Sequence, residues 1–97
     1  MARIMSYYIT MDTQAYWKKK LGKYSEEGWS DKPSRFLTEV EGYFPAGWKV
    51  LDLGAGLGQD SRHLAKEGFK VTWLDISEFG KDYAQDKAAE EGVKNID

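Results

Sequence analysis

Cysteine is missing from this sequence altogether, which removes disulfides, thiolate metal ligands and cysteine nucleophiles together. A chain with no cysteine is at home in a reducing cytosol. Histidine is almost missing too. The one histidine, His63, lies among charges in a helical stretch, where it is expected at the surface with no general-base role. No apolar run approaches the roughly 18 residues that read as a membrane span, and Met1-Ala2-Arg3-Ile4 is not followed by the apolar core of a signal peptide. The expectation is a cytoplasmic protein with no membrane partner. Charge of one sign is also lacking. Lys and Arg number 14 against 16 Asp and Glu, and they are interspersed, so no basic stripe exists to follow a nucleic acid backbone. The run Lys18-Lys19-Lys20 reads as the solvated face of a helix. No metal-ligating cluster stands out.

What remains is an ordinary globular composition, with 41% apolar and 14% aromatic residues in 97. That is room for one small domain, which buries only about 60 to 65% of its unfolded surface. The segment from Gly22 to Pro33 is rich in Gly, Ser and charge and divides the chain into a leader, 1–32, and a main part, 33–97. In the leader, Asp12 or Thr13 can cap a helix reaching about Leu21, and its apolar residues form no long stripe, so it is expected to be peripheral. Beyond the divide, Asp31 and Pro33 can open a helix whose Phe36, Leu37, Val40 and Phe44 recur at helical spacing, and which should pack on a sheet.

From Trp48 the period changes. Lys49 to Leu53 is a short apolar run ending in glycines, as a buried strand does. A helix from about Gln59 to Lys66 follows, ended by Gly68. Lys70 to Asp75 is a second strand with that acid at its carboxyl end, Ser77 can cap the next helix, to about Glu91, and Val93 to Asp97 would open a third strand. Asp82, Asp86, Glu90 and Glu91 have the spacing of a solvated helix face. The order strand, helix, strand, helix, strand is that of an α/β fold with a parallel sheet and right-handed crossovers.

The glycines and one acid carry the functional signal. Gly54, Gly56 and Gly58 lie between the first strand and its helix, where a missing Cβ permits positive φ and lets backbone N–H groups reach a ligand. Asp75 follows Gly54 by 21 positions, near the offset of about 20 expected for an acid accepting from ribose hydroxyls. A dinucleotide loop, G-x-G-x-x-G, would need glycine at position 59, which is Gln59. The pattern is G-x-G-x-G, with Asp52 two residues ahead of it. A carboxylate there disfavours a pyrophosphate and suits a cationic amino acid.

The stretch Val50-Leu51-Asp52-Leu53-Gly54-Ala55-Gly56-Leu57-Gly58 resembles motif I of the class I S-adenosylmethionine-dependent methyltransferases, and Val71 to Ser77 resembles their second motif. Gln59-Asp60-Ser61, Leu64-Ala65 and Gly68-Phe69 are similar to the small-molecule branch that includes tellurite-resistance and thiopurine-type enzymes. Tyr16-Trp17, Gly28-Trp29-Ser30 and Pro33 to Leu37 look like that branch's N-terminal helices. The resemblance implies the first part of a Rossmann-like doubly wound parallel sheet, two strands and the start of a third out of seven in the order 3-2-1-4-5-7-6. It implies S-adenosylmethionine as cofactor, S-adenosylhomocysteine as product and a small-molecule methyl acceptor. Gly54, Ala55 and Gly56 would face the methionine part, with Gly58 completing the loop and Asp52 supporting it. Asp75 would take the ribose hydroxyls, Ile76 would lie against the adenine, and Gln59 or Asp60 would reach the amino-acid end. Trp17, Tyr24 and Trp29 are candidates to close over the cofactor, with core packing as their plainer role. No catalytic residue is identifiable.

Two other readings stay open at this point: a non-catalytic cofactor-binding or self-associating half-domain, and another nucleotide-binding α/β protein. The strand Val50 to Leu53 is central and paired on both sides in the family, so self-association through an open sheet edge is expected of a chain that lacks the further strands.

Overall fold

The computed structural model describes residues 2–96, with the side chains of residues 13–28 and 31–96. Its elements run α1 (Ala2–Tyr24), a 3-10 turn (Gly28–Asp31), α2 (Arg35–Val40), a second 3-10 turn (Glu41–Tyr43), β1 (Lys49–Leu53), α3 (Gln59–Lys66), β2 (Lys70–Leu74) and α4 (Glu78–Glu90). The fold is α/β, as the sequence indicates.

β1 and β2 pair in parallel, Lys49 opposite Lys70 through Leu53 opposite Leu74. The expected third strand is reduced, among the described residues, to one parallel bridge between Val71 and Ile96; Asp97 lies outside them. Val71 N–H donates to the Asn95 carbonyl, while the Asn95 amide donates to the Ala65 and Phe69 carbonyls and holds the segment in place.

Alternation along the strands decides which face is covered. Val50 and Val71 turn toward α3 and α2, where Leu37, Leu64, Ala65 and Phe69 form the core with Phe44, Val93 and Ile96 against it. Trp73 turns the same way, toward α4. The opposite face carries Leu51, Leu53 and Leu74, which are 56, 70 and 54% exposed. β1 is therefore not the strand buried on both faces that its apolar run suggests. α2, α3 and α4 pack on that first face, and no described element covers the other.

Four helical expectations change. α1 begins at Ala2, far before Asp12 or Thr13, because no glycine or proline interrupts the chain until Gly22. Nor is it peripheral: it packs on α4, and Leu21 is only 6% exposed. Ser34, not Asp31, caps α2, its Oγ accepting from Leu37 N–H at 3.3 Å. α2 also stops at Val40, which leaves Phe36 74% exposed while Phe44 meets Phe69 edge to face at 6.0 Å.

Two charged expectations change as well. Glu91 is not simply solvated; it pairs with Lys66 and, at 2.5 Å, with the Arg62 guanidinium, whose side chain is 4% exposed. Arg62 also reaches Asp31 at 3.5 Å, and Asp31 accepts from the Tyr83 hydroxyl at 3.1 Å, so the end of the leader is tied to α3 and α4. A buried guanidinium needs such partners. His63 is half-buried against Glu41 of the second 3-10 turn, not free at the surface, because that turn folds back onto α3. No described helix is long and apolar enough to cross a membrane.

Candidate functional site

At the carboxyl ends of β1 and β2 the chain turns from strand to helix twice, and a cavity of about 560 Å³ opens between those turns and α1. This is where a parallel α/β sheet places its ligands. The glycine loop follows from local stereochemistry. Gly54, Gly56 and Gly58 all have positive φ, at 69°, 59° and 74°, a region that side chains with a Cβ rarely enter. Gly58 has a second constraint: an added Cβ would sit 2.6 Å from Ala84 Cβ of α4.

The backbone donors of the loop have an unexpected fate. Gly54 and Ala55 N–H both donate to the Leu74 carbonyl, at 2.7 and 3.0 Å, and Gly58 N–H donates to the Ala55 carbonyl. Gly56 N–H donates to Asp75 Oδ2 at 2.8 Å. The glycines thus serve to shape the loop and keep its surface low, and these four N–H groups do not form an anion cradle. A pyrophosphate, which needs such donors, would not find them at these four positions.

Asp75 takes a second backbone donor on its other oxygen, Ser77 N–H at 2.8 Å. An ionised carboxylate offers about four lone-pair sites, so two remain for hydroxyls. Gln59 begins α3 at the cavity wall, and its Oε1 is buried with no hydrogen-bond partner among the described residues. A buried orphan acceptor is costly unless a donor arrives. Carboxylate, orphan amide oxygen and low loop together suit a ligand that bears hydroxyls and an ammonium group.

The structure brings Gly54, Ala55, Gly56, Gln59, Asp75 and Ile76 to this cavity, together with Trp17 and Tyr24 from α1. It does not bring Asp52, Gly58 or Asp60 there. Asp60 instead accepts from Ser34, backbone N–H at 2.6 Å and Oγ at 2.9 Å, anchoring α2 to α3. The Trp29 side chain lies outside the described residues. Leu21, Leu57 and Leu74 also line the cavity, and none was singled out from sequence. A lone leucine in a helix without an apolar stripe carries no signal that it meets a loop some thirty residues on.

Asp52 sits behind the loop, accepting from the Ser61 hydroxyl at 2.6 Å and so joining β1 to α3. Burial holds its carboxyl above the ordinary value of 3.8, with the like charges of Asp60 and Asp75 adding to the rise and the Ser61 bond opposing it. A carboxyl whose pKa is raised on folding adds stability below its unfolded value and loses that contribution as pH rises through the folded one. Asp52→Asn is therefore expected to be at least as stable as the parent at neutral pH. The parent should gain on the variant as pH falls toward 3.8. Paired thermal melts across that range check this; a pH-independent difference would refute it.

Comparison with known proteins agrees with this geometry. A family model described as a methyltransferase domain matches residues 50–97. A protein of Geobacillus sp. (strain WCH70), assigned as a methyltransferase, is 37% identical over 86 residues, covering 88% of this chain and 34% of that protein. The crystal structure of a S-adenosylmethionine-dependent methyltransferase from Aquifex aeolicus superposes with a TM-score of 0.59 at 30% identity, over 82% of this chain and 44% of that one. Coclaurine N-methyltransferase, solved with N-methylheliamine and S-adenosylhomocysteine, gives 0.56 at 25% identity, over 64% and 18%. The chain spans about a third of the length of the curated relative.

Proposed function

Since this chain is part of a class I S-adenosylmethionine-dependent methyltransferase domain, we propose that the whole protein moves a methyl group from S-adenosylmethionine to a small-molecule acceptor, releasing S-adenosylhomocysteine. The observation that carries this is the pairing of Asp75 with a glycine loop in which the Gly54, Ala55, Gly56 and Gly58 N–H groups are already bonded within the protein. Such a site favours hydroxyls and a cationic tail over a pyrophosphate, which also argues against a dinucleotide protein.

Each residue has a part in binding and positioning. Gly54, Ala55 and Gly56 face the methionine portion, Gln59 Oε1 accepts from its ammonium group, Asp75 accepts from the ribose hydroxyls, and Ile76 lies along the adenine. The cofactor supplies the electrophilic methyl. The leader, 1–32, acts as a lid: Trp17 and Tyr24 exclude water and present aromatic faces, which attract a sulfonium. Asp52 and Gly58 keep the loop in place from behind. A small-molecule acceptor is supported by the N-methylheliamine held by coclaurine N-methyltransferase.

Calorimetric titration of the full protein tests the reading. S-adenosylhomocysteine should bind and NAD should not, and Asp75→Ala should weaken binding by about 1.5 to 3 kcal/mol, the worth of charge-assisted hydrogen bonds. Binding of NAD alone would overturn the proposal, and an Asp75→Ala variant that is folded and binds as the parent does would remove the acid from it.

The edge of β1 that no described strand pairs, with Leu51 and Leu53 exposed along it, supports a second proposal, self-association of the 97-residue chain through that open edge. Sedimentation should show dimers or larger species, and Leu51→Lys with Leu53→Lys, which puts charge on the edge strand, should shift them to monomer. A parent chain that sediments as a stable monomer sinks the idea.

A further inference from the structure

α4 opens with a turn in which the sequence marks the Ser77 cap but not Gly80. Ser77 caps it, its Oγ accepting from Gly80 N–H at 3.3 Å. Both residues are buried, Ser77 to 1% exposure. Gly80 has no need of positive φ, so its glycine is not explained by backbone conformation. It is explained by what lies against it. A Cβ built on Gly80 would stand 2.3 Å from the Gly56 carbonyl oxygen, 3.1 Å from the Gly56 carbonyl carbon and 3.0 Å from Leu21 Cδ1. A flexible leucine tip can yield, but a backbone carbonyl in a loop held by four internal hydrogen bonds cannot do so cheaply.

The contacts close a ring. Gly80 N–H bonds Ser77 Oγ, Ser77 N–H bonds Asp75 Oδ1, Gly56 N–H bonds Asp75 Oδ2, and the Gly56 carbonyl fills the space a Gly80 Cβ would need. Asp75 is thereby held at both oxygens by donors whose own positions depend on how closely α4 approaches the glycine loop. We infer that Gly80, with Ser77, is a positioning residue for the cofactor: its missing side chain lets the first turn of α4 seat against Gly56, and that seat aims the Asp75 carboxylate and sets the height of the loop. The same seat receives Leu21, so the leader docks on the ring as well. This inference rests on the cofactor reading of the cavity, and its test has one arm that does not.

The first arm uses amide NMR of the ligand-free full protein. Short N–H bonds to a carboxylate shift amide protons downfield, so the Gly56 and Ser77 signals should stand downfield in the parent and move upfield in Gly80→Ala. Those of Gly68 and Gly92, remote from the ring, should stay. A change of global stability alone does not produce that pattern. The second arm is S-adenosylhomocysteine affinity, expected to fall at least tenfold in Gly80→Ala, not to be restored by adding Leu21→Ala, and to be unchanged in Gly42→Ala, where a Cβ meets nothing within 4 Å. Gly56 and Ser77 signals that do not move, an unchanged affinity, or full rescue by Leu21→Ala each overturns the inference. Should Gly80→Ala not fold, Ser77→Ala, which removes the Oγ acceptor and adds no atom, must weaken binding severalfold, and equal affinity overturns the inference. A parent that binds no S-adenosylhomocysteine removes the cofactor reading, while the amide pattern still decides whether the ring exists.

Discussion

Gly56→Val is expected to lower affinity for S-adenosylhomocysteine at least a hundredfold, about 2.7 kcal/mol. Gly56 lies at the floor of the cavity with φ of 59°, and a Cβ there would stand 3.6 Å from Leu21 Cδ2. The Cβ alone is tolerable in space. Valine adds two methyls to it, and each must enter either the cavity or the seat of Leu21. A β-branched side chain also has no comfortable rotamer at positive φ, so the loop would turn away and carry the N–H that holds Asp75 Oδ2 with it. Stability should fall by less, about 1 to 2 kcal/mol for one residue forced into the left-handed region. Calorimetric titration below the variant's melting temperature is the measurement, and parental affinity would show that the loop does not touch the ligand.

Gly58→Ala should have the opposite profile, with a large loss of stability and a secondary loss of binding. Its φ of 74° costs an alanine about 1 to 2 kcal/mol. Its Cβ would meet Ala84 Cβ at 2.6 Å, which α4 can relieve only by moving off α3, a further cost of about 1 to 3 kcal/mol. Against a domain stability of about 5 to 15 kcal/mol, that sum is a large share. Urea unfolding of the single variants and of Gly58→Ala with Ala84→Gly separates the two terms. The contact should appear as a coupling of about 1 kcal/mol or more between the sites. Additive effects would mean that α4 does not press on Gly58.

These two glycines look alike in the motif and do different work. One keeps a cavity floor low and the other lets two helices approach, and only the position of Ala84, twenty-six residues on, tells them apart. The same limit applies to Asp60 and Gln59, adjacent at the start of α3. Either could reach a ligand on sequence grounds. The helix turns Gln59 into the cavity and Asp60 toward Ser34, about 100° away, as successive helical residues must be.

What the sequence by itself determined is local. Strand and helix limits from Lys49 to Glu90 follow from short-range period, glycine stops and the Ser77 cap, all of which act within a few residues. The glycine loop and Asp75 are legible for the same reason, since spacing along parallel neighbouring strands brings them to one crevice. What only the tertiary structure decided is where distant segments meet. Leu21 packs where Cβ atoms are missing on Gly56 and Gly80, Arg62 is held by the Asp31 and Glu91 carboxylates, and the Gly54 and Ala55 N–H groups are taken by the Leu74 carbonyl. Each depends on packing between elements far apart in the chain, where periodicity carries no information. The exposure of Leu51 and Leu53 has the same origin, because an apolar strand records what it can bury but not which of its two faces receives a helix.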